Sequence, residues 1–120
     1  MRFRTINITQ TQLKDIITEA QQAAYEAAQK TSNESKFHGS CGFAWLEIVD
    51  FEKKPIKGNT KMGRLLKSCG IEQNWDRLFY IWNPAQFPTQ SMHVLEAGAE
   101  AASNVFNKYG FLTYPASRMD

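Results

Sequence analysis

Six cationic side chains are gathered in one short stretch of the chain, and they are the residues with the clearest chemical meaning. The stretch runs from residue 53 to residue 67 and contains no acidic residue. Its cations are Lys53, Lys54, Lys57, Lys61, Arg64 and Lys67. Because the whole chain carries only +2, the remaining residues sum to −4, that is, +2 less these six cations. The positive charge is therefore concentrated on a slightly acidic body.

Clustered lysines and arginines attract phosphates, and each phosphate that they neutralise releases counterions. Asn59 and Thr60 fall where a short helix is predicted to begin, and a helix N-terminus supplies backbone donors for an anion. The segment lacks the Gly-Lys-Ser/Thr ending of a Walker A loop. We predict a surface for nucleic acid or an acidic protein; the alternative is a solvated face that only favours solubility. The predicted binding residues are Lys53, Lys54, Lys57, Asn59, Thr60, Lys61, Arg64 and Lys67.

The histidines and cysteines allow an alternative site of a different kind, a metal centre. The chain has two of each, and they are His38, Cys41, Cys69 and His93. His38 and Cys41 have ligand-like spacing, and the other two would complete a tetrahedral set for zinc. Against this, Cys69 falls on the apolar stripe of a predicted helix, where a buried thiol needs no metal. A metal-binding protein therefore stays as an alternative.

Nucleophilic catalysis is a related alternative, since a Cys–His pair with an orienting amide can be assembled from Cys41, His93 and Asn83. No nucleophile elbow, paired-histidine motif or glycine-rich dinucleotide loop occurs in the chain. We therefore favour a non-enzymatic protein, with no catalytic residues and no cofactor.

Aromatic residues are numerous for so short a chain, and they suit either a core or a contact surface. Rings are enriched at interface hot spots and also stack on unpaired bases. Strand positions favour the core, so we predict that Trp45 and Trp82 are core residues. The sequence leaves Trp75 and Phe87 open between the core and the surface.

The elements that must position these residues are visible in local patterns. Thr9 and Gln12 form a capping box before a first helix with an alanine-rich apolar face. Residues 41–51 alternate as a strand with apolar residues on both faces, which indicates a central and largely covered strand. A short second helix follows, capped by Asn59 and ended by Gly70 in the left-handed conformation.

The second half of the chain adds two more strands and a third helix. Residues 78–82 are predicted to be a strand, and a helix begins near Thr89 or Ser91 and stops at Gly110. Residues 111–114 are a further strand, and residues 116–120 are a tail. The predicted fold is therefore α+β: a two-layer single domain over residues 1–120. Its small sheet has three or four strands, with two longer helices and one short helix, and residues 1–8 can supply an edge strand.

The cellular setting follows from what the chain lacks. There is no apolar run near the roughly 20 residues that a membrane-spanning helix needs, and the N-terminus has no apolar region typical of a signal peptide. Two cysteines suit a reducing compartment better than a disulfide scaffold. We therefore predict a cytoplasmic protein with no membrane partner.

Several short motifs together resemble those of a group of small bacteriophage-encoded proteins of unknown function. They are AW at 44–45, KGNTKMGR at 57–64, WNP at 82–84, EAGA at 96–99 and SRMD at 117–120. The resemblance covers roughly residues 41–120. It implies a phage origin and the cytoplasm of an infected bacterium, where host or phage machinery supplies the partners. It implies no catalytic residues, because the group has no established activity.

The leading hypothesis is therefore a small phage-type binding module that uses residues 53–67 for an acidic partner or nucleic acid. The metal or Cys/His enzyme is the second hypothesis. The third is a homo-oligomeric structural protein, in which the alanine-rich helix faces or the turn at residues 82–88 meet across a two-fold axis.

Overall fold

Three helices and four strands make up the part of the chain that the structure describes, residues 7–34 and 40–120 of a computed structural model. In chain order they are α1 (Gln10–Glu34), β1 (Gly42–Val49), α2 (Lys61–Ser68), β2 (Glu72–Gln73), β3 (Phe79–Trp82), α3 (Met92–Lys108) and β4 (Leu112–Met119). This confirms the predicted α+β class, with two longer helices, one short helix and a small sheet.

The four strands form one antiparallel sheet in the order β2-β3-β1-β4. Because β1 and β2 both run antiparallel to β3, they are parallel to each other with β3 inserted between them. From β1 to β4 the elements follow the order β-α-β-β-α-β, which is the split β-α-β arrangement. The central position predicted for the strand at residues 41–51 is confirmed, since β1 pairs with β3 on one side and β4 on the other.

The helices cover one face of this sheet. Ala44, Leu46 and Ile48 of β1 are buried on that face, and Ala44 shares a small cluster with Leu95 and Ala99 of α3. Leu46 and Ile48 belong to the main core, which also contains buried residues of α1, α2, α3 and β3. Strand alternation places Phe43, Trp45 and Glu47 on the opposite face.

The alanine-rich helix faces pack inside the molecule. Ala20, Ala24 and Ala28 of α1 are buried, as are Ala99 and Ala102 of α3. The helices approach so closely that a Cβ added to Gly98 would lie 3.2 Å from the carbonyl oxygen of Ala24. These faces are therefore used within the chain, and the prediction that they meet across a two-fold axis is wrong.

An ionic contact joins α1 to the C-terminal end of α3. The Glu19 carboxylate accepts hydrogen bonds from Lys108 Nζ and from the Tyr109 hydroxyl. These bonds lower the pKa of Glu19 and raise the pKa of both Lys108 and Tyr109. The groups are exposed, so water screens the contact and its effect on stability is small.

Helices α2 and α3 end in the same way, with a glycine in the left-handed conformation. Gly70 has φ +86° and Gly110 has φ +95°. After each glycine, the next backbone N–H bonds back to a helix carbonyl: Ile71 to Leu66, and Phe111 to Phe106. This is the Schellman motif, and it confirms the predicted end of both helices.

Several predicted boundaries are wrong. β4 continues to Met119, which pairs with Gly42, so residues 116–119 form a strand rather than the predicted tail. Pro115 is tolerated within β4 because that strand lies at the sheet edge. The short strand β2 was not predicted. Of the suggested edge strand at residues 1–8, residues 1–6 lie outside the described chain, and Asn7 and Ile8 lead into α1 without forming a strand.

The start of α1 gives a direct test of the capping box. Gln12 N–H donates to Thr9 Oγ1 at 3.1 Å, and Thr9 N–H donates to Gln12 Oε1 at 2.8 Å. We expect Thr9→Ala to lower the free energy of unfolding by about 1 kcal/mol, because the Gln12 N–H at the start of the helix loses its side-chain acceptor. Urea unfolding measures this change. Thr18→Ala, an exposed site within α1, is the control and should be neutral or slightly stabilising; equal losses in the two variants would contradict the capping role.

Candidate binding site

An open groove runs beside α2, and we call it the α2 groove. Its walls are the loop between β1 and α2, the exposed side of α2, and Gln73, Asp76 and Arg77 of the β2–β3 hairpin. The groove brings together seven of the eight predicted binding residues. They are Lys54, Lys57, Asn59, Thr60, Lys61, Arg64 and Lys67. Lys53 does not line the groove; it lies in the preceding turn with φ 65°.

The first turn of α2 is fixed by Thr60 and Gly63. The N-cap is Thr60 rather than the predicted Asn59, because Thr60 Oγ1 accepts the Gly63 N–H at 3.1 Å. The same hydroxyl donates to the Lys57 carbonyl at 2.6 Å. A Cβ on Gly63 would lie 2.2 Å from that carbonyl oxygen, so only glycine lets the loop pack this closely on the helix. The loop and helix that carry Lys57 and Lys61 are thereby held as one unit.

Arg64 also holds the loop against the start of α2. Its Nη1 donates to the Asn59 carbonyl at 2.7 Å, which leaves the rest of the guanidinium in the groove. A guanidinium has five N–H donors, so this one bond leaves capacity for an anion.

Asp50 organises the loop at the other end of the groove. Its Oδ1 accepts from the backbone N–H groups of Glu52 at 2.8 Å and Lys54 at 2.9 Å. The Lys54–Glu52 ion pair is loose, at 3.9 Å, and both side chains are exposed. Such a pair contributes little and leaves Lys54 able to change partners.

The groove carries a positive surplus. Its described cations are Lys54, Lys57, Lys61, Arg64, Lys67 and Arg77. Its described carboxylates are Asp50, Glu52 and Asp76, which leaves an excess of three positive charges. The apolar side chains of Ile8, Phe51, Met62 and Leu65 also line it. Arg77 was missed by the sequence analysis because only the β2–β3 turn brings it beside α2.

The three described residues of the metal hypothesis, Cys41, Cys69 and His93, are placed on different segments of the fold. Cys41 pairs with Ser91 just before α3, and His93 is exposed on the first turn of α3. Cys69 caps the end of α2, where its thiol donates to the Gln10 carbonyl at 3.8 Å. Among the described residues, no group of three or more histidines, cysteines, aspartates or glutamates could hold a metal ion. His38 lies outside the described chain.

A second surface is the face of the sheet opposite the helices, which we call the outer face. It is formed by Phe43, Trp45, Glu47, Tyr80, Trp82, Tyr114, Ala116 and Arg118, as the strand pairing shows. Trp82 is 51% exposed and Trp45 is half-buried on this face, so the prediction that both are core residues is wrong. Within the described residues, Phe43, Trp45 and Trp82 belong to neither hydrophobic core cluster.

The two aromatic residues left open by the sequence lie elsewhere. Trp75 is fully exposed in the β2–β3 turn, beside Tyr80 in a shallow depression. Phe87 is half-buried, and its ring centroid lies 5.4 Å from that of Tyr25 on α1. Phe87 therefore helps to hold the loop before α3 against α1.

Comparison with known proteins found no matching family model, no similar curated protein and no similar solved structure. Within the described residues, no helix combines the length and the apolar composition that crossing a membrane requires.

Proposed function

We propose that this chain is a non-enzymatic binding module that holds the phosphate backbone of a nucleic acid in the α2 groove. The observation that carries the proposal is the meeting of cations from separate elements. Lys54 and Lys57 come from the loop, Lys61, Arg64 and Lys67 from α2, and Arg77 from the β2–β3 turn. A polyanion can contact several of these cations at once, and each contact releases counterions.

The shape of the groove favours a chain-like anion over a single small phosphate. It is an open channel between a helix and a hairpin, rather than a closed cradle of backbone donors. Its cations are exposed on long side chains, which can follow a flexible backbone. The apolar side chains of Met62 and Leu65 add contact area for sugars.

Titration with single-stranded and double-stranded nucleic acid at several salt concentrations tests the proposal. If all six cations contact phosphates, log K should fall against log salt with a slope of about −5 for duplex or −4 for single strands. Polyglutamate is the control polyanion without phosphates. Absence of nucleic-acid binding at low salt would refute the proposal, as would binding that is equally strong for polyglutamate.

The motif resemblance supports a proposed origin as well. We propose that the chain is a small bacteriophage-encoded protein acting in the cytoplasm of an infected bacterium. The gene should then lie among phage genes in its genome. Neighbours that are all bacterial housekeeping genes would argue against this origin.

A further inference from the structure

We infer that the outer face binds unpaired bases of the same nucleic acid, by stacking them on the rings of Trp82, Trp45 and Phe43. This inference rests on the proposed function, because it assumes that the ligand is a nucleic acid. It specifies the ligand class as single-stranded nucleic acid. It also makes the outer face a second binding surface, separate from the α2 groove.

The rings form a connected row across the two central strands. Trp45 and Trp82 are cross-strand partners, with centroids 5.8 Å apart and planes inclined by 13°. Phe43 extends the row, with its centroid 5.5 Å from that of Trp82. Trp82 is half exposed, so a planar ligand can reach it without unfolding of the sheet. Aromatic platforms of this kind stack bases of any sequence, because every base has a π-face.

The polar groups beside the rings favour bases over an apolar protein surface. Glu47 lies in the same face, and its Oε2 accepts a hydrogen bond from Trp45 Nε1 at 3.0 Å. This bond fixes the indole and leaves carboxylate lone pairs for the amino groups of a base. Arg118 lies at the border with its guanidinium carbon 5.7 Å from the Phe43 centroid, where it can contact a phosphate. The cores of protein interfaces are, by contrast, depleted in charged residues.

The outer face and the α2 groove are linked through the chain segments at one end of the sheet. β1, which carries Trp45, leads at Val49 into the loop that forms one wall of the groove. β3, which carries Trp82, starts two residues after Arg77. From Trp45 to Val49 the distance along the strand is roughly 13 Å, a span of a few nucleotides. A single strand that passes around this end of the sheet would place its backbone in the groove and its bases on the outer face.

A base engaged in a duplex has both of its faces stacked already and cannot lie on these rings. The stacking contribution should therefore be absent for double-stranded ligands, whereas the groove contribution should remain. This separates the two surfaces experimentally, since the groove recognises phosphates and the outer face recognises bases.

The test compares single-stranded oligothymidine with an abasic sugar–phosphate oligomer of the same length and charge. Unmodified protein should bind oligothymidine more tightly. Trp82→Ala should weaken oligothymidine binding by about 5- to 150-fold, which is the loss of one stacked base, and should leave abasic binding unchanged. Trp82→Phe should retain most of the affinity. Tyr25→Ala, at an exposed ring on α1, is the control and should have no effect.

The outcomes separate this inference from the proposed function. Equal affinity for the two oligomers would overturn base stacking while the groove proposal stands. No binding of either oligomer would remove the proposed function, and the inference with it. If light scattering shows a dimer that Trp82→Ala dissociates, the outer face is a contact between two copies of the chain and the inference is wrong. The comparison of oligomers with the unmodified protein does not depend on any variant folding.

Discussion

Charge reversal at Lys57, Lys61 and Arg64 is expected to weaken nucleic-acid binding by a factor on the order of 10³ or more. Near an anionic surface each lysine or arginine contributes about 1 kcal/mol, and a carboxylate in its place adds repulsion of similar size. The slope of log K against log salt should also become shallower, by about 2 to 3, because three phosphate contacts are lost. Fluorescence anisotropy at several salt concentrations measures both quantities.

A matched pair of variants distinguishes the groove from the net charge of the protein. Lys57→Glu with Lys61→Glu changes two cations of the groove, whereas Lys14→Glu with Lys30→Glu changes two exposed cations of α1. The total charge changes equally in both. The groove pair should lose most of the binding and the α1 pair only a minor part. Equal losses would mean that nucleic acid responds to the overall charge, and the α2 groove would lose its assigned role.

The features that the sequence predicted correctly depend on residues close together in the chain. Thr9 and Gln12 are three residues apart, and they make the predicted capping box. Gly70 and Gly110 end their helices as expected, because a left-handed residue is needed at a fixed distance from the last turn. Short-range hydrogen-bonding rules suffice for such features, whatever the rest of the molecule does.

The features that the sequence did not predict depend on which elements become neighbours. Apolar residues on both sides of β1 indicated a strand covered on both faces, but the described helices all pack on one face. Alternation alone cannot tell a covered aromatic face from an exposed one, so Trp45 and Trp82 were assigned to the core. Ser103 of α3 is a further case, because this polar residue is buried and shares a hydrogen bond with Thr113 of β4.

The same limitation applies to the candidate site. Five of its six cations are close in sequence and were predicted together, whereas Arg77 joins them only through the hairpin of β2 and β3. Positive charge can be counted in a sequence, but the groove that brings these cations together forms only when the loop, α2 and the hairpin pack against one another. The outer face is a still clearer case, because three strands contribute to it.

Phe106→Ala is expected to have the largest effect on stability among the substitutions considered. Phe106 is fully buried, and its ring meets that of Phe111 edge-on, with centroids 5.5 Å apart. Truncation should lower the free energy of unfolding by about 3–5 kcal/mol, since it removes buried apolar surface and leaves a cavity. For a domain of this size the melting temperature should fall by on the order of 10–20 °C.

Phe43→Ala is the matched control, and the comparison bears on function as well as on folding. Phe43 is half-buried on the outer face and is not part of the main core, so its truncation should cost much less than that of Phe106. A loss as large as that of Phe106→Ala would show that the outer rings serve the stability of the sheet. A small loss, measured by urea unfolding, would mean that the rings are not required by the fold. They would then be free to contact a ligand, because the domain keeps its stability without them.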